Sequence, residues 1–322
     1  MGQRPTVSIV MGVYNGAGTL RATVDSILGQ TFAAWEFIVV DDASTDETPQ
    51  ILEEFANKDS RIRVLRQPIN GGLTRALIRG CNVAEGTYIA RQDVGDISFN
   101  TRLEKQLEFL EEHPTVVAVG CGIRRVGPQG EFLGEASRTM SPEEVTRVFL
   151  ESGKAIVHPA SMFRRLAYQT TGGYRHQFRV AQDIDLWYRL GQLGLIAELP
   201  DVLLVLAIDL RGISATSREK QQQLAMIAKT CFEARKSNLP EVKFLEQAET
   251  TSNATGRQTS GSRDERRKLA EPSYFIGSEL FGQRNASCRP YLAYSIRSGF
   301  RLPHAVAKFM LSFFICTSVD KN

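Results

Sequence analysis

Two short acidic segments, Asp41-Asp42 and Asp93-Val94-Gly95-Asp96, each follow an apolar run of strand type, Phe37 to Val40 and Thr87 to Ala90. Hard carboxylate oxygens grouped in this way suit Mg²⁺ or Mn²⁺, and such a cation can bridge the phosphates of a nucleotide diphosphate and offset the charge of a departing nucleotide. The other common way to hold a diphosphate is through glycine-rich backbone amides at a helix N-terminus. Gly16-Ala17-Gly18-Thr19-Leu20-Arg21 begins like that fingerprint but has Arg21 where the third glycine belongs, and no GxxxxGK[ST] motif is present. The carboxylates therefore carry the reading. Taken singly they have plainer explanations: Asp41, Asp42 and Asp46 as turn and cap residues, Asp93 and Asp96 as a solvated loop.

The elements that must position these groups form a repeating pattern of apolar run, turn and amphipathic helix, the signature of parallel βαβ units. Strands are expected at Val7 to Val13, Phe37 to Val40, Ile62 to Leu65 and Thr87 to Ala90. Helices are expected around Leu20 to Leu28, around Ile51 to Phe55 with N-cap chemistry from Ser44-Thr45-Asp46, and at Leu73 to Asn82. At the carboxyl ends of the four strands stand Asn15, then Asp41 and Asp42, then Asn70, then Asp93 and Asp96. Open parallel sheets bind ligands outside this edge, so the polar ends predict one shared site.

Further along, Leu103 to Leu110 reads as a helix and Val116 to Gly120 as a strand; Ser141-Pro142-Glu143-Glu144 is a capping box opening a helix to about Leu150. Asp183 to Leu193 has helical spacing, and Val202 to Leu206 is a short strand. From Arg218 the composition becomes helical, the stretch 249–266 is polar enough for a linker or mobile loop, and Tyr274 to Phe314 suggests two or three short helices. The expected organisation is an α/β domain over 1–215 and a helical region over 216–322.

A net charge of +3 over 322 residues gives no case for nucleic-acid binding. Five widely spaced cysteines without a CxxC pair suit a reducing compartment, and the N-terminus has no apolar signal region, so the expected location is the cytoplasm. Ala305 to Cys316 is apolar but shorter than the roughly 18 residues that span a bilayer. It reads as the end of a core helix, with peripheral contact on the inner face of the plasma membrane as the alternative.

Several segments in order resemble the glycosyltransferases of family 2, which have the GT-A fold. They are Val7-Ser8-Ile9-Val10-Met11-Gly12-Val13-Tyr14-Asn15, Gln30-Thr31-Phe32, Val39-Val40-Asp41-Asp42-Ala43-Ser44-Thr45-Asp46, Asn70-Gly71-Gly72-Leu73, Ala90-Arg91-Gln92-Asp93-Val94-Gly95-Asp96, His158-Pro159, Gly172-Gly173-Tyr174 and Ala181-Gln182-Asp183-Ile184-Asp185-Leu186-Trp187. They cover roughly residues 6 to 210. The resemblance implies a nucleotide-binding α/β/α sandwich of GT-A type with a mostly parallel central sheet and a C-terminal helical region. It implies inverting transfer of a sugar from a nucleotide diphosphate donor, a UDP-sugar first, to a saccharide or lipid-linked saccharide hydroxyl in cell-surface polysaccharide or glycolipid assembly.

The resemblance also implies roles. Asp42 would bind the nucleotide base, with Val13, Tyr14, Asn15 and Asp41 around that pocket; Arg75 would approach base or phosphate. Asp93 opens the DxD motif and would face ribose and metal, while Asp183 would be the general base. Where the motif commonly has its second aspartate this chain has Gly95, which leaves Mn²⁺ or Mg²⁺ to Asp93 and Asp96, or to Asp93 with diphosphate and water. Gly12 stands at a common proline and Gln182 at a common glutamate. Alternatives to these roles are a helix-dipole position for Asp183 and Asp185, the latter also four residues before Arg189, a structural place for His158, and packing for Trp187 and Tyr188. A nucleotidyltransferase and a non-catalytic sugar-nucleotide-binding relic are the competing functions. The sequence leaves the oligomeric state open.

Overall fold

The computed structural model describes residues 4–153, 156–210, 212, 217–254 and 262–316. Along the chain run β1 (Val7–Val13), α1 (Ala17–Leu28), β2 (Trp35–Asp41), α2 (Thr48–Lys58), β3 (Ile62–Arg66), α3 (Leu73–Asn82), β4 (Tyr88–Arg91), β5 (Ile97–Ser98), α4 (Arg102–Glu112), β6 (Val116–Val126) and β7 (Phe132–Ala136). There follow α5 (Pro142–Ser152), a 3₁₀ turn (His158–Ala160), β8 (Met162–Arg164), α6 (Arg165–Thr170), α7 (Gln182–Leu190), β9 (Leu195–Ala207), α8 (Arg218–Lys236), α9 (Val242–Asn253), α10 (Ser262–Gly282), α11 (Cys288–Arg297) and α12 (Leu302–Ile315).

The sheet order is β3-β2-β1-β4-β8-β6-β9-β5, with β7 paired to β6. β1 pairs in parallel with β2 and β4, and β2 with β3, so the four expected strands form one parallel block. β8 then runs antiparallel to both β4 and β6, and β5 antiparallel to β9. β5 and β8 are two and three residues long, too short for a periodic signal in the sequence.

Contacts group the described residues into two compact units. The larger holds the chain up to Ile123, Ala136–Leu206 and Lys220–Asn253; the smaller holds Arg124–Glu135, Ala207–Glu219 and the residues from Ala254. The larger unit has a core on each face of its sheet. Val7, Ile9, Met11 and Val13 of β1 point to one core and Val10 to the other, and β2 divides Phe37 and Val39 from Ile38 and Val40 in the same way. This period of two, with every residue buried, is what a strand covered on both faces requires. α8 lies in the larger unit because Leu224, Ile227, Cys231 and Phe232 join the core of Trp187 and Phe149, where Phe232 stacks on Tyr188 at 5.0 Å. The smaller unit has its own core around Leu133, Ile276, Leu280, Tyr291 and Leu292.

The capping box at Ser141 forms as its spacing demands, with Ser141 Oγ accepting from the Glu144 amide at 3.3 Å and Glu144 Oε2 from the Ser141 amide at 3.0 Å. The second helix starts at Thr48, and of the expected cap residues Asp46 serves its first turn, while Ser44 Oγ and Asp46 Oδ2 also accept from the amides of Asn15 and Ala17 in the turn after β1. Asp46 also accepts from the Thr48 amide at 3.0 Å. The polar stretch expected near 249–266 is helical up to Asn253, and residues 255–261 lie outside those described.

α3 lies directly on β1 and β2. A Cβ on Gly80 would meet Val10 Cγ1 at 2.6 Å and Val40 Cγ2 at 3.2 Å. Alanine at Gly80 gains about 1 kcal/mol of helix propensity, but overpacking a fitted core costs about 1–3 kcal/mol. Gly80→Ala should therefore lower the thermal unfolding midpoint; an unchanged or raised midpoint would mean that α3 does not bear this closely on the sheet.

Candidate active site

At the end of β1 the chain turns sharply, with Asn15 in the left-handed region at φ 50°. Asn15 Oδ1 accepts from the Thr45 amide at 2.8 Å, and the Asn15 amide donates to Ser44 Oγ at 2.9 Å, which locks the turn after β1 to the turn after β2. The Asp42 amide donates to the Val13 carbonyl at 2.8 Å. Tyr14 projects outward, 50% exposed. Gly16 abuts the acidic loop after β4, since a Cβ there would lie 2.9 Å from Val94 Cγ2. Gly12 stands at the common family proline for a packing reason: its Cβ would sit 3.1 Å from both Ala76 Cβ and Leu73 Cδ1 of α3.

The paired aspartates after β2 divide their work. Asp41 is buried and its Oδ1 accepts from the Ser44 amide at 3.0 Å, closing the turn. Asp42, also buried, accepts from Gln67 Nε2 at 2.5 Å, from the Gly71 amide at 2.8 Å and from the Gly72 amide at 2.7 Å. Its carboxylate thus fixes the loop that starts α3 and keeps room for one further donor on Oδ2. From α3, Arg75 lines a cavity of about 150 Å³ with Asn70, Gly71, Gly72, Thr74, His176 and Arg179. Thr74 Oγ1 donates to the carbonyls of Phe178 at 2.8 Å and Arg179 at 3.1 Å, clamping the segment that leads into α7 against α3.

The fourth strand ends in a buried cation. Arg91 donates from Nη1 to the carbonyls of Val10 at 2.5 Å and Gln92 at 2.8 Å, from Nε to His158 Nε2 at 3.2 Å, and from Nη2 to Asp93 Oδ1. Burial is the largest single influence and works against the charged guanidinium, but the Asp93 charge and hydrogen bond together with Tyr174 and Cys81 outweigh it, and the Arg91 pKa is raised. Asp93 itself is 33% exposed. Its backbone carbonyl meets Gln92 Nε2 at 3.2 Å, and its Oδ2 has no protein partner among the described residues. Asp96 is buried, with its carbonyl accepting from Gln92 Nε2 at 2.9 Å. Gly95 has φ 98°, a conformation that strains an aspartate, so the sequence departure from DxD matches the backbone here.

Asp183 stands in the first turn of α7, after Ala181 at φ 59°. Burial raises its pKa, as does the Asp93 charge, while amide hydrogen bonds and Arg91 lower it; the net direction is upward. Asp93 and Arg91 thus act on Asp183 in opposite directions, both as smaller influences than burial. Asp185 is spent on Arg189, whose Nη2 lies 2.5 Å from its Oδ2. Trp187 and Tyr188 are core residues, and His158 is buried with Nε2 2.6 Å from Tyr174 Oη. Because Nε2 accepts from Arg91, the imidazole must carry its proton on Nδ1, with Tyr174 Oη donating.

The described residues contain no group of three or more His, Cys, Asp or Glu side chains able to cage a metal. One open carboxylate is nonetheless the donor set expected for Mg²⁺ or Mn²⁺ bound jointly by a protein and a substrate diphosphate. Asp93 fits that requirement through its exposed Oδ2. Asp96, three residues on, is 4% exposed.

Asp42 and Asp93 terminate strands on either side of β1, two strand spacings or roughly 10 Å apart. The segment before Asp183 is tied to α3 through Thr74, and Arg75 of the same helix lines the cavity with His176 and Arg179 of that segment. Arg91, Arg102, His176 and Arg179 were not readable from sequence. Arg102 is wholly buried and donates to Gln92 Oε1, Ser98 Oγ and the Arg91 carbonyl. Nothing in a helix-opening arginine announces such a role, and the other three lack a distinguishing spacing.

The profile described as Glycosyl transferase family 2 matches residues 8–172. The protein EpsE of Bacillus subtilis (strain 168) is 39% identical over 197 residues, covering 60% of this chain and 69% of that one. Among solved structures, TarS of S. aureus in complex with UDP superposes with a TM-score of 0.56 at 19% identity, covering 96% of this chain and 89% of the other. The mannosyltransferase PcManGT of Pyrobaculum calidifontis, in complex with GDP-Man and Mn²⁺, gives 0.56 at 19% identity, with coverage of 96% and 88%. At these identities the structural likeness concerns the fold, and it agrees with the expected GT-A α/β architecture.

The His158 pKa lies well below its ordinary 6.5 through burial first and the Arg91 charge second. The unfolded chain therefore takes up a proton that the folded one refuses, and this group's contribution to stability is present above pH 6.5 and lost as pH falls below it. Urea unfolding from pH 7 to pH 5 should show a stability loss that is smaller in His158→Gln; equal slopes would contradict a buried neutral imidazole.

Proposed function

This chain belongs to glycosyl transferase family 2, and from that membership we propose that it moves a sugar from a nucleotide diphosphate donor to an acceptor hydroxyl with inversion at the anomeric carbon. The observation that carries the reading is Asp183 in the first turn of α7, a carboxylate whose proton affinity is raised by burial first and by the Asp93 charge as well. A base must hold a proton well enough to remove it from an alcohol, and burial beside a like charge supplies that tendency. Asp183 takes the proton as the acceptor oxygen bonds to the anomeric carbon. The bond from that carbon to the diphosphate oxygen breaks on the opposite face, and the nucleoside diphosphate leaves with the electron pair.

We assign a UDP-sugar as donor. Asp42 Oδ2 offers an acceptor site for a base N–H, Val13 and Tyr14 back the base, Asn15 and Asp41 hold the turns around it, and Arg75 approaches base or phosphate. The two solved neighbours, one with UDP and one with GDP-Man and Mn²⁺, support a nucleotide-linked donor and a divalent cation. Asp93 would hold Mn²⁺ or Mg²⁺ together with diphosphate oxygens and water, while Asp96 shapes the loop beneath. Bound there, the cation would neutralise the charge that develops on the diphosphate. Arg91 keeps Asp93 oriented from below.

The acceptor is assigned as a saccharide or lipid-linked saccharide, and the process as cell-surface polysaccharide or glycolipid assembly on the cytoplasmic side of the membrane. The family leaves the nucleotidyltransferase reading without support. A binding relic is distinguished by the base itself. Asp183→Asn should lower the rate of transfer by about 10²–10⁴-fold while donor binding, read by calorimetry with Mn²⁺, stays within about twofold of wild type. In the wild type, kcat should rise with pH through the raised Asp183 pKa. Equal residual turnover in wild type and variant would leave only a binding protein.

A further inference from the structure

α12 is apolar on the side where a surface helix should be polar. Ala305 and Ser312 are fully buried, and with Phe309 and Cys316 they face the core of the smaller unit. At 100° per residue the opposite side carries Pro303, Val306, Ala307, Met310, Leu311 and Phe314, with no charged residue among them. Met310 is 57% exposed and Phe314 84%. A helix that is apolar all round belongs in a core or against lipid, and one face of this helix is left in water.

Along this stretch of the chain the charges have one sign. Between Leu280 and Cys316 stand Arg284, Arg289, Arg297, Arg301 and Lys308, and no acidic residue. Arg284, Arg297 and Arg301 are exposed, the last two at the turn that opens α12. Lys308 lies over the Tyr274 ring at 5.1 Å and Arg289 over Phe313 at 4.5 Å, so their stems lie along the apolar surface. A dimer face would place these cations against their own copies, at a cost; a surface of anionic headgroups would neutralise them. At 14 residues α12 is about 21 Å long, short of a roughly 30 Å hydrocarbon layer. Among the described residues no helix is long and apolar enough to cross a membrane.

We propose that the outward face of α12, centred on Met310 and Phe314, inserts in the plane of a membrane leaflet rich in anionic lipid, with Arg297 and Arg301 on the headgroups. The inference gives the proposed membrane-side location a surface, and it is independent of the transfer chemistry.

The test is co-sedimentation of the full chain with vesicles of phosphatidylcholine alone and of phosphatidylcholine mixed with phosphatidylglycerol. Wild type should pellet with the mixed vesicles, less so as salt rises. Met310→Glu/Phe314→Glu and Arg297→Glu/Arg301→Glu should each weaken binding by about tenfold or more. Both pairs are exposed, and circular dichroism melts matching wild type would exclude misfolding as the cause. Wild-type failure to bind, or undiminished binding by the variants, would overturn the proposal. So would a wild-type dimer that Met310→Glu/Phe314→Glu makes monomeric without any vesicle binding, which would assign the face to a second copy. Vesicle binding reads no catalysis, so failure here leaves glycosyl transfer untouched, and failure of transfer leaves this result untouched.

Discussion

A guanidinium withdrawn from water has to be satisfied by the groups around it, and Arg91 meets that demand with two backbone carbonyls, one imidazole nitrogen and one carboxylate. Each partner comes from a different part of the site. The Val10 carbonyl ties in β1, His158 ties in the 3₁₀ turn before β8, and Asp93 is the exposed acid at the end of β4. A buried charge left without its counter-ion costs about 3–5 kcal/mol, so Asp93 is held in place by folding energetics before any substrate arrives. The same cation lowers the proton affinity of Asp183 against the larger effects of burial and of Asp93. One interaction thereby fixes the position of the proposed metal ligand and moderates the proton affinity that burial gives the proposed base.

The second constraint is Asp42, which closes the other side of the edge. By accepting from the Gly71 and Gly72 amides it fixes the start of α3. Thr74 of that helix in turn fixes the carbonyls of Phe178 and Arg179, five and four residues before Asp183. The Asp42 loop and the segment before Asp183 are therefore joined through one helix terminus. Close backbone approaches at Gly12, Gly16 and Gly80 make the junction tight, because side chains there would collide with α3, with Val94 or with β1.

Much of this was legible in the sequence. The parallel block and its polar strand ends could be read because continuous apolar runs separated by short turns admit few arrangements, and Asp42 and Asp93 follow β2 and β4 as those runs imply. The antiparallel half was harder, since β5 and β8 are too short for periodicity and their pairing is dictated by tertiary contacts. Buried polar residues were least legible. Arg102 opens a helix as many arginines do, and only the fold reveals that it binds Gln92, Ser98 and the Arg91 carbonyl. Ser44 and Asp46 carry cap chemistry in their residue types, and while Asp46 does serve the start of α2, both also hold a turn about thirty residues away in the chain. The apolar run from Ala305 to Cys316 has the same composition whether it faces a core or a lipid surface, and exposure, not sequence, separates its two faces.

The central claim is that Asp42, Asp93 and Asp183 surround one bound molecule. Paramagnetic broadening of the aspartate carboxyl carbon resonances by Mn²⁺, recorded with and without UDP, tests it most directly. With UDP present the account predicts that Asp93 is broadened beyond detection, Asp183 strongly and Asp42 less, while acids distant from this edge such as Glu143 remain sharp. Broadening that ignores UDP, or that spares Asp93 and Asp183 while falling on other acids, would contradict the account.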